Sequence, residues 1–296
     1  MAFAGKIKIP VQEVKDEILD WCGIQLLVKR LDLIPSKVTG NKYFKLKYNL
    51  EEAKRLGHST LLTFGGAYSN HILATSIAGK EAGFETTGVI RGEESIELNP
   101  VLKKAKEQGM ELHYMSREQY LKKEKPFFIQ KLTDKFGSFY LLPEGGSNQL
   151  AVKGCREIIS DSDSDSKIIF TCCGTAATLS GIILSLQKDQ EAIGISVLKN
   201  GSFLEKNVAN YLSHFSNDDT IKWKILTDYH FGGYARSSAE LQKFMDRFIL
   251  KTGIPVEHVY TGKMFYAIYD LAQKGFFRRG DTVMAVHTGG VFQAGG

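Results

Sequence analysis

The sequence predicts an α/β protein of two lobes, each a parallel sheet with crossover helices. Three observations predict it. Short apolar runs alternate with helix-period segments along most of the chain. Several of these runs end in glycine pairs or small-residue turns, as at Gly65-Gly66 and Gly145-Gly146. At 296 residues, 43% hydrophobic and 11% aromatic, the chain can build one large α/β domain or two of ordinary size.

The elements follow in order. Gln25 to Leu31 reads as a strand, and helical periodicity begins at Leu46, Leu50 and Ala53. Ser59 to Phe64 is a strand ending in Gly65-Gly66, and Asn70 to Ala82 is the helix after it. A strand at Thr86 to Ile90, a helix at Pro100 to Gly109 and strands at Glu111 to Tyr114 and Phe139 to Leu142 complete this stretch. The pattern then restarts: a helix to Ile159, a strand at Lys167 to Cys172, a helix from Thr178 and a strand at Ile193 to Leu198. Thr282 to Val286 is the last strand. Alternation of this kind argues parallel pairing with crossovers. Asp161 to Ser166 alternates Asp and Ser and reads as a solvated surface loop. The expected division is a larger lobe, 1–45 plus 151–296, with a smaller lobe, 46–150, inserted into it and a ligand cleft between them.

Composition excludes several classes. No apolar run approaches the roughly 20 residues that span a bilayer. Lys6, Lys8, Glu13, Asp16 and Glu17 interrupt the N-terminus too early for a secretory segment, so a soluble cytoplasmic protein is expected. The net charge of +5 is mild, and lysines such as Lys103-Lys104 lie among acids, which fits helix faces and not a nucleic-acid stripe. Cys22, Cys155, Cys172 and Cys173 form no CxxC pair and read as buried reduced thiols. His287 has no partners at ligand spacing, so no metal is expected.

Four places carry possible chemistry. Lys42 follows a strand and the Gly40-Asn41 turn, where a reactive amine is easily presented; a solvated lysine is the commoner case. In Gly65-Gly66-Ala67-Tyr68-Ser69-Asn70-His71, Ser69 or Asn70 is placed as a helix cap, and the same helix end suits a carboxylate. Cys172 to Gly181 joins a strand to a helix through small and hydroxyl residues, as a phosphate nest or as tight packing. It lacks GxxxxGKS and GxGxxG, which favours a phosphate outside ATP or NAD. His287-Thr288-Gly289-Gly290 lies at the carboxyl end of the last strand, where ligands of open sheets gather.

Five segments in order carry a family resemblance: Gly40-Asn41-Lys42-x-x-Lys45-Leu46, Gly65-Gly66-x-x-Ser69-Asn70, Pro143-Glu144-Gly145-Gly146-Ser147-Asn148, Val259-Tyr260-Thr261-Gly262-Lys263 and His287-Thr288-Gly289-Gly290. From about Val28 to Gly290 the chain resembles the pyridoxal-phosphate enzymes that comprise 1-aminocyclopropane-1-carboxylate (ACC) deaminase and D-cysteine desulfhydrase. The resemblance implies the tryptophan-synthase-β-like fold (fold type II), cofactor in the cleft, and the family's usual homodimer. It implies that Lys42 holds the aldehyde of pyridoxal phosphate as an imine and serves as a base at Cα once freed. Lys45 and Asn70 would help hold phosphate and ring, and Cys173, Gly174, Thr175, Ala176 and Ala177 would form the phosphate loop. Ser69, with Asn70 and His71, would meet the substrate carboxylate or take part in proton transfer, while Tyr234 and Tyr260 would line the substrate side. Thr261 and Thr288 would sit beside the cofactor ring.

The resemblance also separates substrates. The deaminases carry Glu where this chain has Thr261, and usually Leu where it has Thr288. A hydroxyl leaves the ring a weaker electron sink, sufficient for losing a thiolate but poor for opening an unactivated cyclopropane. The expected reaction is therefore elimination from D-cysteine to pyruvate, sulfide and ammonia. ACC deamination to 2-oxobutanoate and ammonia is the alternative. A pyridoxal-phosphate-binding protein without catalysis is a third reading, opposed by the presence together of Lys42, Ser69, Tyr234 and Tyr260. Thr39 and Phe44 depart from the family's Gly and Arg, and the segment Asp228 to Arg236 is shorter than its pattern.

Overall fold

A computed structural model describes Phe3 and residues 7–94, 97–215 and 220–290. Among the described residues ten strands form two sheets: β1 (Val11–Val14), β2 (Gln25–Arg30), β3 (Thr60–Gly66), β4 (Glu85–Arg91), β5 (Glu111–Met115), β6 (Tyr140–Leu142), β7 (Ile168–Cys173), β8 (Glu191–Ser196), β9 (Lys222–Leu226) and β10 (Thr282–His287). The larger sheet has the order β1-β2-β10-β7-β8-β9 and the smaller β5-β4-β3-β6. Every pairing is parallel except β1 with β2.

The central strands read as continuous apolar runs because both faces are covered. On β10, Val283 and Ala285 face one layer, which contains the helices Ala239–Thr252 and Thr261–Gln273. Met284 and Val286 face the other, with Leu46, Leu50 and Ala53 of the helix Asn41–Arg55. Each such aliphatic side chain, fully buried, contributes roughly 1.5–3 kcal/mol. In the smaller sheet Leu62, Phe64 and Val89 pack against Tyr120, Phe128 and Leu132, while Ile90 turns to Ile72 and Leu102. The helix Asn41–Arg55 joins the two halves: its buried face shares one core with Leu61 and Leu142 of the smaller sheet and with Ile169 of the larger. Lys47 and Tyr48 on it bind the Glu157 carboxylate at 2.7 and 2.6 Å.

One expectation needs correcting. Asp161 to Ser166 is not merely a solvated loop: Asp163 and Ser166 are buried, and the Asp163 carboxylate pairs with the buried Lys29 of β2. It also accepts from the Ser160 backbone at 2.9 Å, and Gln190 donates to the carbonyls of Asp163 and Ser166, each at 2.9 Å. A buried ammonium requires such a partner, and the Asp–Ser alternation gives no sign of it. The sequence reading also passes over β1, β9 and the helices Phe203–Leu212, Ala239–Thr252 and Thr261–Gln273. Both strands lie at sheet edges, where β9 carries Lys222 and Lys224 among its apolar residues and the pattern weakens.

Among the described residues no helix is long and apolar enough to cross a membrane. The carboxyl ends of β2, β3, β7 and β10 are followed by the segments that carry Lys42, Ser69, Gly174 and Thr288, all lining one cleft.

Candidate active site

Lys42 stands in the first turn of the helix Asn41–Arg55. That turn is fastened at both sides: Gly40 N–H donates to the Leu31 carbonyl at 2.8 Å and Asn41 N–H to that of Thr288 at 3.1 Å. The Lys42 amine donates to Asn41 Oδ1 at 3.0 Å, and Asn41 Nδ2 donates to Thr178 Oγ1 at 3.0 Å. Burial first, and then the nearby Lys45 charge, lower the Lys42 ammonium to about 7. Among the described residues no carboxylate is paired with it. At neutral pH a large share of this lysine is free amine, the form a nucleophile or base requires.

Lys45, one turn on and almost fully buried, donates to the Gly145 carbonyl (3.0 Å), Ser147 Oγ (3.1 Å) and Thr175 Oγ1 (3.0 Å). Burial lowers its ammonium too. Thr175 lies in the loop between β7 and the helix Ala177–Ile183, whose cap Ala176 makes no side-chain hydrogen bond.

Ser69 caps the helix Asn70–Ala82, accepting from the backbone N–H of His71 at 3.2 Å and of Ile72 at 3.4 Å. The expected cap is thus Ser69, and Asn70 is the first helical residue. His71 is buried. Its Nε2 lies 2.8 Å from Thr63 Oγ1, whose only hydrogen goes to the Leu142 carbonyl at 2.9 Å. Nε2 therefore carries the ring proton, and Nδ1 is left as a buried acceptor without a partner among the described residues. Burial, then the charges of Lys42 and Lys45, push the imidazolium far below its usual range.

Tyr234 and Tyr260 face each other with phenolic oxygens 3.5 Å apart and rings at 75°. Burial raises both phenols, so both stay protonated at neutral pH. Two residues to which sequence reasoning gave no role position them. Glu257 accepts from the N–H groups of Val259 (2.6 Å), Tyr260 (2.9 Å) and Thr261 (2.9 Å). Lys263 donates to the carbonyls of His230 and Gly233, both at 2.8 Å, and so holds the segment that carries Tyr234. The lysine itself was legible in the Thr-Gly-Lys motif, but its partners were not.

The cleft of about 2070 Å³ brings together Lys42, Lys45, Ser69, Asn70, His71, Gly174, Thr175, Ala176, Tyr234, Tyr260 and Thr288. It does not bring Cys173, Ala177 or Thr261 to its wall. Cys173 and Ala177 are buried behind the loop, and burial holds the Cys173 thiol up at about 12. Thr261, expected beside a ring, instead turns its hydroxyl to Glu257, accepting from that residue's N–H at 3.0 Å and donating to Oε1 at 3.2 Å. The helix end needs that carboxylate, and the carboxylate needs the hydroxyl.

The family described as pyridoxal-phosphate dependent enzyme matches residues 14–289 of this sequence. The chain belongs to that family. A relative from Pyrococcus horikoshii, named putative 1-aminocyclopropane-1-carboxylate deaminase, is 30% identical over 91% of this chain and 85% of its own. The D-cysteine desulfhydrase of Serratia proteamaculans is 24% identical over 94% of this chain and 90% of its own. A solved structure described as an ACC deaminase homologue superimposes with a TM-score of 0.84 at 27% identity, over 98% of this chain and 91% of that one. This protein is thus a fold type II enzyme that depends on pyridoxal phosphate.

The residues present fit that cofactor. An amine lowered to about 7 suits an aldehyde. The Lys45–Ser147–Thr175 corner suits a phosphate. The space exceeds the 300–1,000 Å³ or so of ordinary small-molecule sites, leaving room for a substrate beside the cofactor.

Proposed function

We propose that the enzyme eliminates the thiol of D-cysteine, which with one water becomes pyruvate, hydrogen sulfide and ammonia. The observation that carries this reading is the Lys42 amine, lowered to about 7, in one cleft with the Ser69 hydroxyl and the Tyr234–Tyr260 pair. Bound pyridoxal phosphate supplies an exchangeable carbonyl for the substrate amine and a sink for the electrons released at Cα.

This chain's own groups do the rest. Ser69 Oγ already accepts two helix N–H groups, so its hydrogen is left to donate to the substrate carboxylate. Lys42 Nζ takes the α-proton, because in its neutral form it has a lone pair and Lys42 lines the cleft. The Tyr260 phenol, still protonated and backed by Tyr234, hands a proton to the departing sulfur. Lys45 and Thr175 would hold the phosphate, and Asn70 and Thr288, which line the same cleft, would stand beside the ring.

Thiol loss is favoured over cyclopropane opening by the family resemblance alone, whose deaminases carry Glu where this chain has Thr261. A deaminase reading has its own support in the name of the 30%-identical Pyrococcus relative. The purified holoenzyme is to be given D-cysteine, L-cysteine and ACC in parallel, with pyruvate and 2-oxobutanoate measured. Pyruvate from D-cysteine should dominate, and Tyr260→Phe should lower its kcat roughly a hundredfold. Faster 2-oxobutanoate release from ACC sinks the substrate assignment. The proposal also keeps a two-subunit assembly, a cytoplasmic location and a smaller lobe of residues 46–150.

A further inference from the structure

Ser147 stands in the phosphate corner without a role of its own so far, and the hydrogen bonds around it run in one direction. A charged Lys45 has three N–H groups, and they go to Gly145 O, Ser147 Oγ and Thr175 Oγ1 at 3.0, 3.1 and 3.0 Å. The single hydrogen of Ser147 goes to Thr175 Oγ1 at 2.7 Å. Thr175 Oγ1 therefore receives two hydrogens, one on each lone pair. Its own hydrogen has no acceptor among the described residues, and Thr175 lines the cleft between Gly174 and Ala176. The result is a hydroxyl that donates outward and cannot accept. Such a group suits a phosphate, which offers acceptors, and gains nothing from a ligand that needs to donate there.

We propose that Ser147 is a positioning residue that, with Lys45, fixes the Thr175 hydroxyl as a one-way donor and thereby sets the preference for the phosphorylated cofactor over its unphosphorylated form. The inference rests on the reading that the Gly174–Ala176 corner takes the phosphate. Lys45 acts there through its charge and through Thr175, its own N–H groups being already engaged.

The test measures dissociation constants of the full-length protein, freed of cofactor, for pyridoxal phosphate and for pyridoxal. The readout is the absorbance of the bound form, and no turnover is required. Ser147→Ala should weaken pyridoxal phosphate roughly five-fold and leave pyridoxal within about two-fold. Ser147→Thr keeps the hydroxyl and should retain the native ratio of the two constants. Thr175→Val, which removes the donor itself, should lower the ratio roughly ten-fold. The ratio is taken within each variant, so a partly misfolded preparation does not mimic the effect. If Thr175→Val lowers the ratio and Ser147→Ala does not, the relay is wrong while the phosphate corner stands. Equal weakening of both ligands by Ser147→Ala also overturns it, since that is general damage. If neither variant moves the ratio, the phosphate reading of this corner falls as well.

Discussion

Gly40 is pressed against the Thr288 carbonyl: a Cβ on Gly40 would stand 2.3 Å from that oxygen. The backbone there has φ of 71°, in the left-handed region, and Asn41 N–H donates to the same oxygen at 3.1 Å. This contact sets the first turn of the Lys42 helix against the end of β10. The place of Lys42 in the cleft follows from a close approach that only glycine permits.

Gly40→Ala should therefore destabilise the protein by about 3 kcal/mol, since steric overlap with backbone and a positive φ add. It should also weaken pyridoxal phosphate binding, because relief of the overlap moves Lys42. Chemical denaturation and a cofactor titration check the two effects. Native stability in the variant would show that the loop yields freely.

The lowered Lys42 predicts how cofactor capture depends on pH. Below about 7 the ammonium dominates, and each pH unit down should slow capture of pyridoxal phosphate about tenfold. Above about 7 the rate should level off, whereas an ordinary lysine would keep gaining to pH 10 or so. The sign for stability follows from the same shift. Between about 7 and 10.5 the unfolded chain binds this proton and the folded chain does not, so the penalty for burying the group is relieved, and stability rises, as pH rises through that window. Stopped-flow absorbance across pH 5–10 or so measures the rate. Borohydride reduction and peptide mapping should place the pyridoxyl group on Lys42, and its appearance on another lysine would refute the assignment.

Asp163→Ala leaves the Lys29 ammonium buried without its partner. Burial already lowers Lys29, and only Asp163 opposes that effect. The loss should be about 3 kcal/mol, seen as a drop in Tm of roughly 5–10 °C. Adding Lys29→Met should recover most of it, as removal of both charges removes the penalty. An unchanged Tm in the single variant would return the 161–166 segment to the status of an ordinary surface loop.

Several features were legible because their causes lie within a few residues. The helix at Asn70–Ala82 was bounded correctly by the Ser69 cap and by the glycine that follows Ala82. Strand β10 was legible as Val283-Met284-Ala285-Val286, an apolar run too short for a helix. Lys42 was marked by the strand before it and the glycine turn, and Thr175 by small residues opening a helix. By contrast, Thr261 carried the right motif and still turned away from the cleft, because Glu257 claimed its hydroxyl.

By itself, then, the sequence determined the periodicities, the caps and turns and the family motifs, and so the α/β lobes and the cofactor. Those signals come from interactions between chain neighbours, which composition and spacing record directly. The tertiary structure alone decided that Asp163 meets Lys29 across 134 residues, and that Thr175 meets Lys45 across 130. Such pairs exist only because parallel crossovers carry distant strand ends to one edge, where burial makes each polar group find a partner.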